Sequence, residues 1–549
     1  MNRNGRLAAK MGAVAALIVL AEILIDDGNG AVVGGFAGAW IATLYLTRRA
    51  IRHDRAARMA TIAAAGMALV LVDDPSFLAW VLFWTALSLA ALLPRHGFDD
   101  ALAWSRRLGW HAISAVVAPV KDIARLSTIR QRRGARPGGI RAVARLVALP
   151  LAGGAVFLAL FANANPLIGQ AFAGIVLPDP WTIAWRMLFG LAVLIATWVS
   201  FRPSLHTTRW SRIGEHSTTK AFGPGVATLT LSLVTFNAIF AIETILDLVF
   251  LWSGAGLPAG VTMADYAHRG AYSLIVTALL AGVFVLVALR PGSAAAASPL
   301  VRRLVTVWMV QNLLLVASSA LRTLDYVDAY GMTVLRLSAL GWMALVASGL
   351  ALIGWRLLAG KSAGWLINAN AVAAMTVLAT AGVVDLAATA AAWNVRTTMA
   401  RGRAGAPLDL CYMARLGTSS LVSLTVLERH AREPGLHDRL AYLRWQTQYR
   451  TAGDQADWRR WTPRNARRLA VVRAMVGTKS PDVRPAPYGR DCDGGVQPPP
   501  PLVTTPVPLA PAPSTPALPP PEPTPGPATP VQPAPAPSAP KPLTPGPQR

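Results

Sequence analysis

Stretches of about twenty apolar residues recur along this chain, and no other feature narrows its fold so far. A water-soluble globule has no need of them, whereas a helix of that length crosses the hydrocarbon of a bilayer. Of the 549 residues, 53% are hydrophobic and 14% charged, in keeping with a membrane protein. Windows of that length place spans near 7–25, 31–47, 59–73, 77–94, 146–163, 181–201, 225–252, 271–289, 304–324, 332–355 and 365–394. The expectation is an all-α, polytopic membrane helix bundle of eleven spans, with the lipid bilayer as its first partner.

A net charge of +25 in a soluble protein would suggest nucleic acid. Here the basic residues sit in short connections between apolar runs, where they act as topology signals, and no nucleic-acid-binding motif is present. Alternate connections hold 28 Lys and Arg on one side, and Arg269 alone on the other. The positive-inside rule then puts the N-terminus in the cytoplasm and, after eleven crossings, everything beyond Trp393 on the far side. Arg396, Arg401, Arg403 and Arg415 argue locally the other way. The first apolar run ends in "AEILIDD" without a small-residue cleavage site and reads as a retained span.

Five regions follow: a four-span segment (1–94), a cytoplasmic amphipathic helix and basic linker (95–145), a seven-span core (146–395), a periplasmic helical domain (396–490) and a disordered proline-rich tail (491–549). In the second, Phe98, Ala101, Leu102, Gly109, Ala112, Ile113, Val116 and Val117 form an apolar stripe at helical spacing, as an interfacial helix requires. Pro119 should end that helix near Val117. The basic "RQRRGARPGG" suits anionic headgroups, or equally a solvated loop that only fixes topology. "SSLVSLTVLERHARE" and "HDRLAYLRWQTQYR" carry helical patterns in the fourth region. The last, built mainly from Pro, Ala, Thr and Ser, cannot form a core.

Cys411 and Cys492 both lie beyond the last span. An oxidising compartment would allow one bridge between them; two unrelated thiols are the alternative. "GWRLLAGKS" departs from a phosphate-binding loop by one residue between its glycines, and the histidines never take zinc-protease spacing. No metal site or cofactor is implied. Gly34 and Gly38, four apart in "GGFAG", allow close helix contact.

"DYAHRGAYSLI", Asp265 to Ile275, sets polar residues against an apolar run. In the inferred orientation it caps the outer end of the eighth span. Most charges within the spans also fall in the outer halves of spans six to ten. Glu243 and Asp247 share one helical face. Charged groups cannot face lipid cheaply, so they should turn inward, pair or line a wet cavity. The set reads as an outward-facing vestibule in which Arg186, Arg269, Arg322 and Arg336 oppose Glu243, Asp247, Asp265, Asp325 and Asp328, with Tyr266, His268 and Tyr272 at the rim. Structural ion pairs and snorkelling side chains are the alternative.

The run "DYAHRGAYSLIVTALLAGVFVLVALRPG", with "VWMVQNLLLVASSALRTLDYVDAYGMTVLRLSALGWMALVASGL" after it, resembles the bacterial integral-membrane families labelled domain of unknown function 4153/4173. The likeness continues in "FANANPLIG", "DLVFLW", "NVRTTMARGRAGAPLDLCYMARLG" and "DWRRWTPRNARRL", over most of residues 146–470. It implies a bacterial inner-membrane protein and brings no activity with it. Two functions are in view. One is a permease- or sensor-like protein binding a small polar or ionic ligand at the vestibule. The other is a non-catalytic cell-envelope scaffold that engages periplasmic proteins or the cell wall through its C-terminal domain and tail. A membrane enzyme ranks third, because Glu243, Asp247 and His268 could do acid–base work but nothing positions a substrate.

Overall fold

Apolar runs that cannot share backbone hydrogen bonds with lipid must satisfy them within a helix, and the computed structural model is helical throughout its regular elements. It describes residues 3–25, 28–132, 179–201, 226–249, 298–402 and 407–499, with a few single positions between them. Among these there is no strand, only one isolated bridge between Arg490 and Val496. The helices are α1 (Arg3–Ile25), α2 (Val32–Thr47), α3 (Arg49–His53), α4 (Arg55–Asp73), α5 (Phe77–His96), α6 (Ala101–Arg132), α7 (Pro180–Phe201) and α8 (Val226–Asp247). They continue with α9 (Pro299–Tyr330), α10 (Val334–Ala359), α11 (Ala363–Val383), α12 (Leu386–Arg401), α13 (Leu410–Arg415), α14 (Leu421–His430), α15 (Pro434–Ala456) and α16 (Pro463–Val476).

Among the described residues, seven helices are long and apolar enough to cross a membrane: α4, α5 and α7 to α11. The first two expected spans are helices, α2 having only 16 residues. Those expected at 146–163 and 271–289 lie outside the described residues, apart from single positions. The eleventh is not one helix. It breaks at Val384 and Asp385, because the Asp385 carboxylate accepts from the Ala388 amide at 2.8 Å and starts α12 anew. Nor does Pro119 end α6, which runs on to Arg132. Proline removes one backbone bond, and packing on both sides of it compensates. His111, Ser114, Ala115 and Asp122 are buried, and Trp198 of α7 donates to Asp122 at 3.2 Å beyond the proline.

Helices α1, α2, α4, α5 and α7 share one core, in which Phe36, Trp40, Trp80 and Phe83 interlock at centroid distances of 5.3 to 6.4 Å. Gly34 lets α2 approach α4: a methyl group there would come within 2.4 Å of the Val72 backbone nitrogen. Gly38 faces open space, so only one glycine of the expected pair makes close contact. Buried Arg48 ties the other ends of these helices together, donating to the carbonyls of Ala91 and Ser200 at 2.9 Å each. A second core joins α8, α9, α10 and α11, with Phe236, Phe240 and Phe284 around Trp308.

A third core lies in α12 to α15. It encloses an ion pair in which Arg444 meets Glu428 through two bonds of 2.7 and 2.9 Å, while Gln448 accepts a third from the same guanidinium. These C-terminal helices are fastened to the bundle. The amides of Gly30 and Ala31 donate to the carbonyls of Arg459 and Trp461 at 2.9 and 2.8 Å. Arg464 of α16 reaches Asp73, Asp74 and the carbonyl of Val383, and Arg468 bonds Asp385. The connections 28–31 and 74–76 and the break at 384–385 therefore face the same C-terminal helices.

Candidate ligand-binding site

Beside that fastening, the turn from α9 to α10 is built by side chains from elsewhere. Gly331 closes α9 at φ +78°, a left-handed conformation that suits glycine, and its amide returns to the carbonyl of Val327 at 2.7 Å. Thr333 caps α10 by accepting from the Arg336 amide. The Asn394 carboxamide of α12 holds Met332 from both sides, accepting from its amide at 2.6 Å and donating to its carbonyl at 2.9 Å. From α13, the Tyr412 hydroxyl accepts from the Val334 amide at 2.8 Å.

The turn and these two helices enclose a cavity of about 180 Å³. Its polar lining includes Arg336, Thr397, Thr398, Asp409, Tyr412 and Arg415, and its apolar lining Val327, Met332, Trp393 and Leu408. Asn394, Thr397 and Thr398 share one face of α12, as spacings of three and four require. Asp409 caps α13, one carboxylate oxygen accepting from the Tyr412 amide at 2.8 Å. Arg336 is anchored on the carbonyls of Tyr330 and Gly331, with its guanidinium 4.2 Å from the centre of the Tyr326 ring. One wall is cross-linked, since Cys411 of α13 forms a disulfide with Cys492.

Of the residues expected to form one vestibule, the structure brings together only some. Arg322 of α9 bonds Asp247 of α8, with the Glu243 carboxylate 3.6 Å from the same guanidinium. Arg322 and Asp247 are buried, whereas the Glu243 side chain is 42% exposed in the protein alone. Arg336 belongs to the cavity. Asp328 pairs at 3.1 Å with Arg401, both half exposed, and Asp325 is exposed beside them. Arg186 sits on α7, which packs with α1 and α6. Asp265, Tyr266, His268, Arg269 and Tyr272 lie outside the described residues. Among the described residues, no three His, Cys, Asp or Glu side chains gather as a metal site.

Sequence reasoning missed Asn394, Thr397, Thr398, Asp409, Tyr412 and Arg415. All six fall in the run "NVRTTMARGRAGAPLDLCYMARLG" that carries part of the family resemblance. By the positive-inside rule its arginines speak only to topology.

Outside the spans, burial by itself would raise the Asp385 carboxyl. The Ala388 amide, Arg468 and Ser419 outweigh it and hold the group below its ordinary value. Buried His111 is pushed down to about 4, by burial first and then by the nearby Arg48 charge.

No curated protein and no solved structure matches the chain. The family described as Domain of unknown function (DUF4153) matches residues 59–427, beginning earlier than the resemblance read from residues 146–470 and ending sooner. That stretch runs from α4 to α14 and contains every residue of the cavity lining. The chain belongs to the DUF4153 family, as a membrane protein whose matched region holds both the Arg322–Asp247 pair and the cavity.

Proposed function

We propose that this is a bacterial inner-membrane protein that binds a small polar or ionic ligand in the cavity between α9, α10, α12 and α13, on the periplasmic side. The observation that carries the reading is the cavity itself. Thr397, Thr398 and Arg415 line it, and their polar groups have no partner among the described residues; convergent polar groups in a concavity mark binding sites. The orientation rests on the positive-inside count. Connections 28–31 and 74–76, which face the C-terminal helices, contain no Lys or Arg. The N-terminus is then cytoplasmic and α13 to α16 periplasmic.

Binding is favoured over passage. Arg322 lies five residues before Val327 on α9, about 7.5 Å deeper at 1.5 Å per residue, and at that depth it is tied up in a buried pair with Asp247 rather than turned to a path through the bundle. The fastening of α16 to Asp73, Asp74 and Asp385 supports reading the C-terminal helices as part of the bundle rather than as a separate scaffold arm.

The test is thermal unfolding of the protein in phosphatidylcholine nanodiscs against a panel of anionic, cationic and neutral small polar compounds. At least one class should raise the midpoint of the wild type and fail to raise that of Thr398→Trp, which fills the cavity. No shift with any class would refute the reading.

A further inference from the structure

The hydrogen-bonding groups left over in the cavity are mostly donors. Asn394 has both ends of its carboxamide engaged on Met332, so it offers a ligand little. Tyr412 accepts from the Val334 amide, and its hydroxyl proton remains to be given. Thr397 and Thr398 contribute two further hydroxyls, and Arg415, exposed at the cavity, contributes a guanidinium with all its N–H groups unengaged among the described residues. Arg336 has one terminal nitrogen on the two turn carbonyls and keeps its other N–H groups. Against these stands Asp409, one of whose oxygens already caps α13. Two guanidinium charges against one carboxylate leave the lining with a net positive charge.

Resting on the binding reading above, the geometry points to an anion as the ligand: one carboxylate or phosphate group held between Arg415, Arg336 and the two threonine hydroxyls. Arginine forks match the paired oxygens of such groups. The rest of the ligand is small and partly apolar. A cavity of about 150 Å³ is known to hold benzene, so 180 Å³ admits a short apolar portion against Val327, Met332 and Leu408.

The same chemistry has two sources, a free organic anion or the headgroup of an anionic lipid. The site lies at the end of two membrane helices, and the Trp393 and Tyr330 that line it are 45% and 51% exposed. Aromatic residues of this kind occupy the headgroup level. A lipid could therefore reach the site from the membrane and a solute from the water.

The experiment measures thermal midpoints of the full chain in nanodiscs. Probes are sodium phosphate, glycerol 3-phosphate, acetate, choline chloride and glycerol in phosphatidylcholine discs, and, separately, discs containing one third phosphatidylglycerol. Arg415→Gln tests the site, because that side chain is exposed and makes no hydrogen bond or ion pair among the described residues. Arg432→Gln, exposed on the connection before α15, is the control. The expected result is stabilisation by an anionic probe or by phosphatidylglycerol, with apparent affinity weakened about tenfold in Arg415→Gln and unchanged in Arg432→Gln. A shift with the soluble anions assigns a free solute, and one confined to phosphatidylglycerol discs assigns a lipid. Stabilisation by choline or glycerol equal to that by the anions would overturn the anion assignment and leave the binding reading standing. So would anion stabilisation indifferent to Arg415→Gln. Silence from every probe in both kinds of disc would remove the binding reading and this inference together.

Discussion

Arg464 donates to Asp73 at 2.9 Å across a sequence separation of 391 residues. The same guanidinium reaches Asp74 at 2.7 Å and the Val383 carbonyl at 3.0 Å, so one side chain from α16 fastens α4, the connection after it and the end of α11. Arg464→Ala should cost about 1–2 kcal/mol, because Asp74 and the Val383 carbonyl lose this partner and Asp73 keeps only the exposed Arg467. Arg467 also touches Asp73 but is 67% exposed, and Arg467→Ala should cost well under 1 kcal/mol. Thermal unfolding and trypsin sensitivity of α16 should rank the two variants in that order.

Asp385 gives the same fastening a pH limit. Its folded-state value is depressed, so its contribution is complete above the ordinary aspartate value of about 3.9 and disappears as pH falls through the lower folded value. Trypsin protection of α16 should therefore hold at pH 5. Release of α16 already at pH 5.5 would contradict the contact.

His111 acts in a different window. It is neutral when folded, with a value near 4 against about 6.5 when unfolded, so the unfolded chain takes up the proton first. Stability should fall as pH drops from about 6.5 towards 4 and level off below. His111 faces Trp84 of α5 and the Arg48 charge, which stays positive through this range. The thermal midpoint between pH 7.5 and 4.5 should decline less in His111→Gln than in the wild type.

Within the membrane the two acids opposite Arg322 are not equivalent. Asp247 is buried against the guanidinium, and Glu243 stands farther off and more exposed. Asp247→Asn should cost about 3–5 kcal/mol, the loss expected when a buried pair is broken, and Glu243→Gln distinctly less. Aggregation temperatures in detergent should separate the two. Equal losses would mean that the charge is shared.

Gly34→Ala should destabilise by about 1–3 kcal/mol by pushing α2 off the backbone of α4, whereas Gly38→Ala should be neutral or slightly stabilising. Thermal unfolding of both variants checks the helix contact directly.

What could be read from sequence followed the reach of each signal. Hydropathy is summed over about twenty residues, so it located α4, α5 and α7 to α11 but passed over the break at Asp385, where one capping carboxylate outweighs an apolar neighbourhood. Local backbone preference at Pro119 pointed the wrong way, because contacts from α7 and the burial of Asp122 come from outside that segment. The cost of a charge facing lipid meant that the charged groups of the spans should turn inward, pair or line a wet cavity, and which acid meets which base was not legible; Arg322 bonds Asp247, with Glu243 farther off at 3.6 Å. Arg336 was expected at a polar site, yet its neighbours there come from α12 and α13. No periodicity in the spans announces those residues, since the turn they surround exists only once α9, α10 and α12 have met.

The bond from Gly30 to the Arg459 carbonyl sets an order on biogenesis. The two residues are 459 minus 30, or 429, positions apart. At a synthesis rate of about 5–20 residues per second, the amide of Gly30 waits roughly 20 to 90 s for its acceptor to be made. Through that interval the loop between α1 and α2 is an open edge of the nascent protein. A chain whose translation stops before Trp461 leaves its first helices inserted but unfinished, available to quality-control proteases even if every later membrane helix is sound.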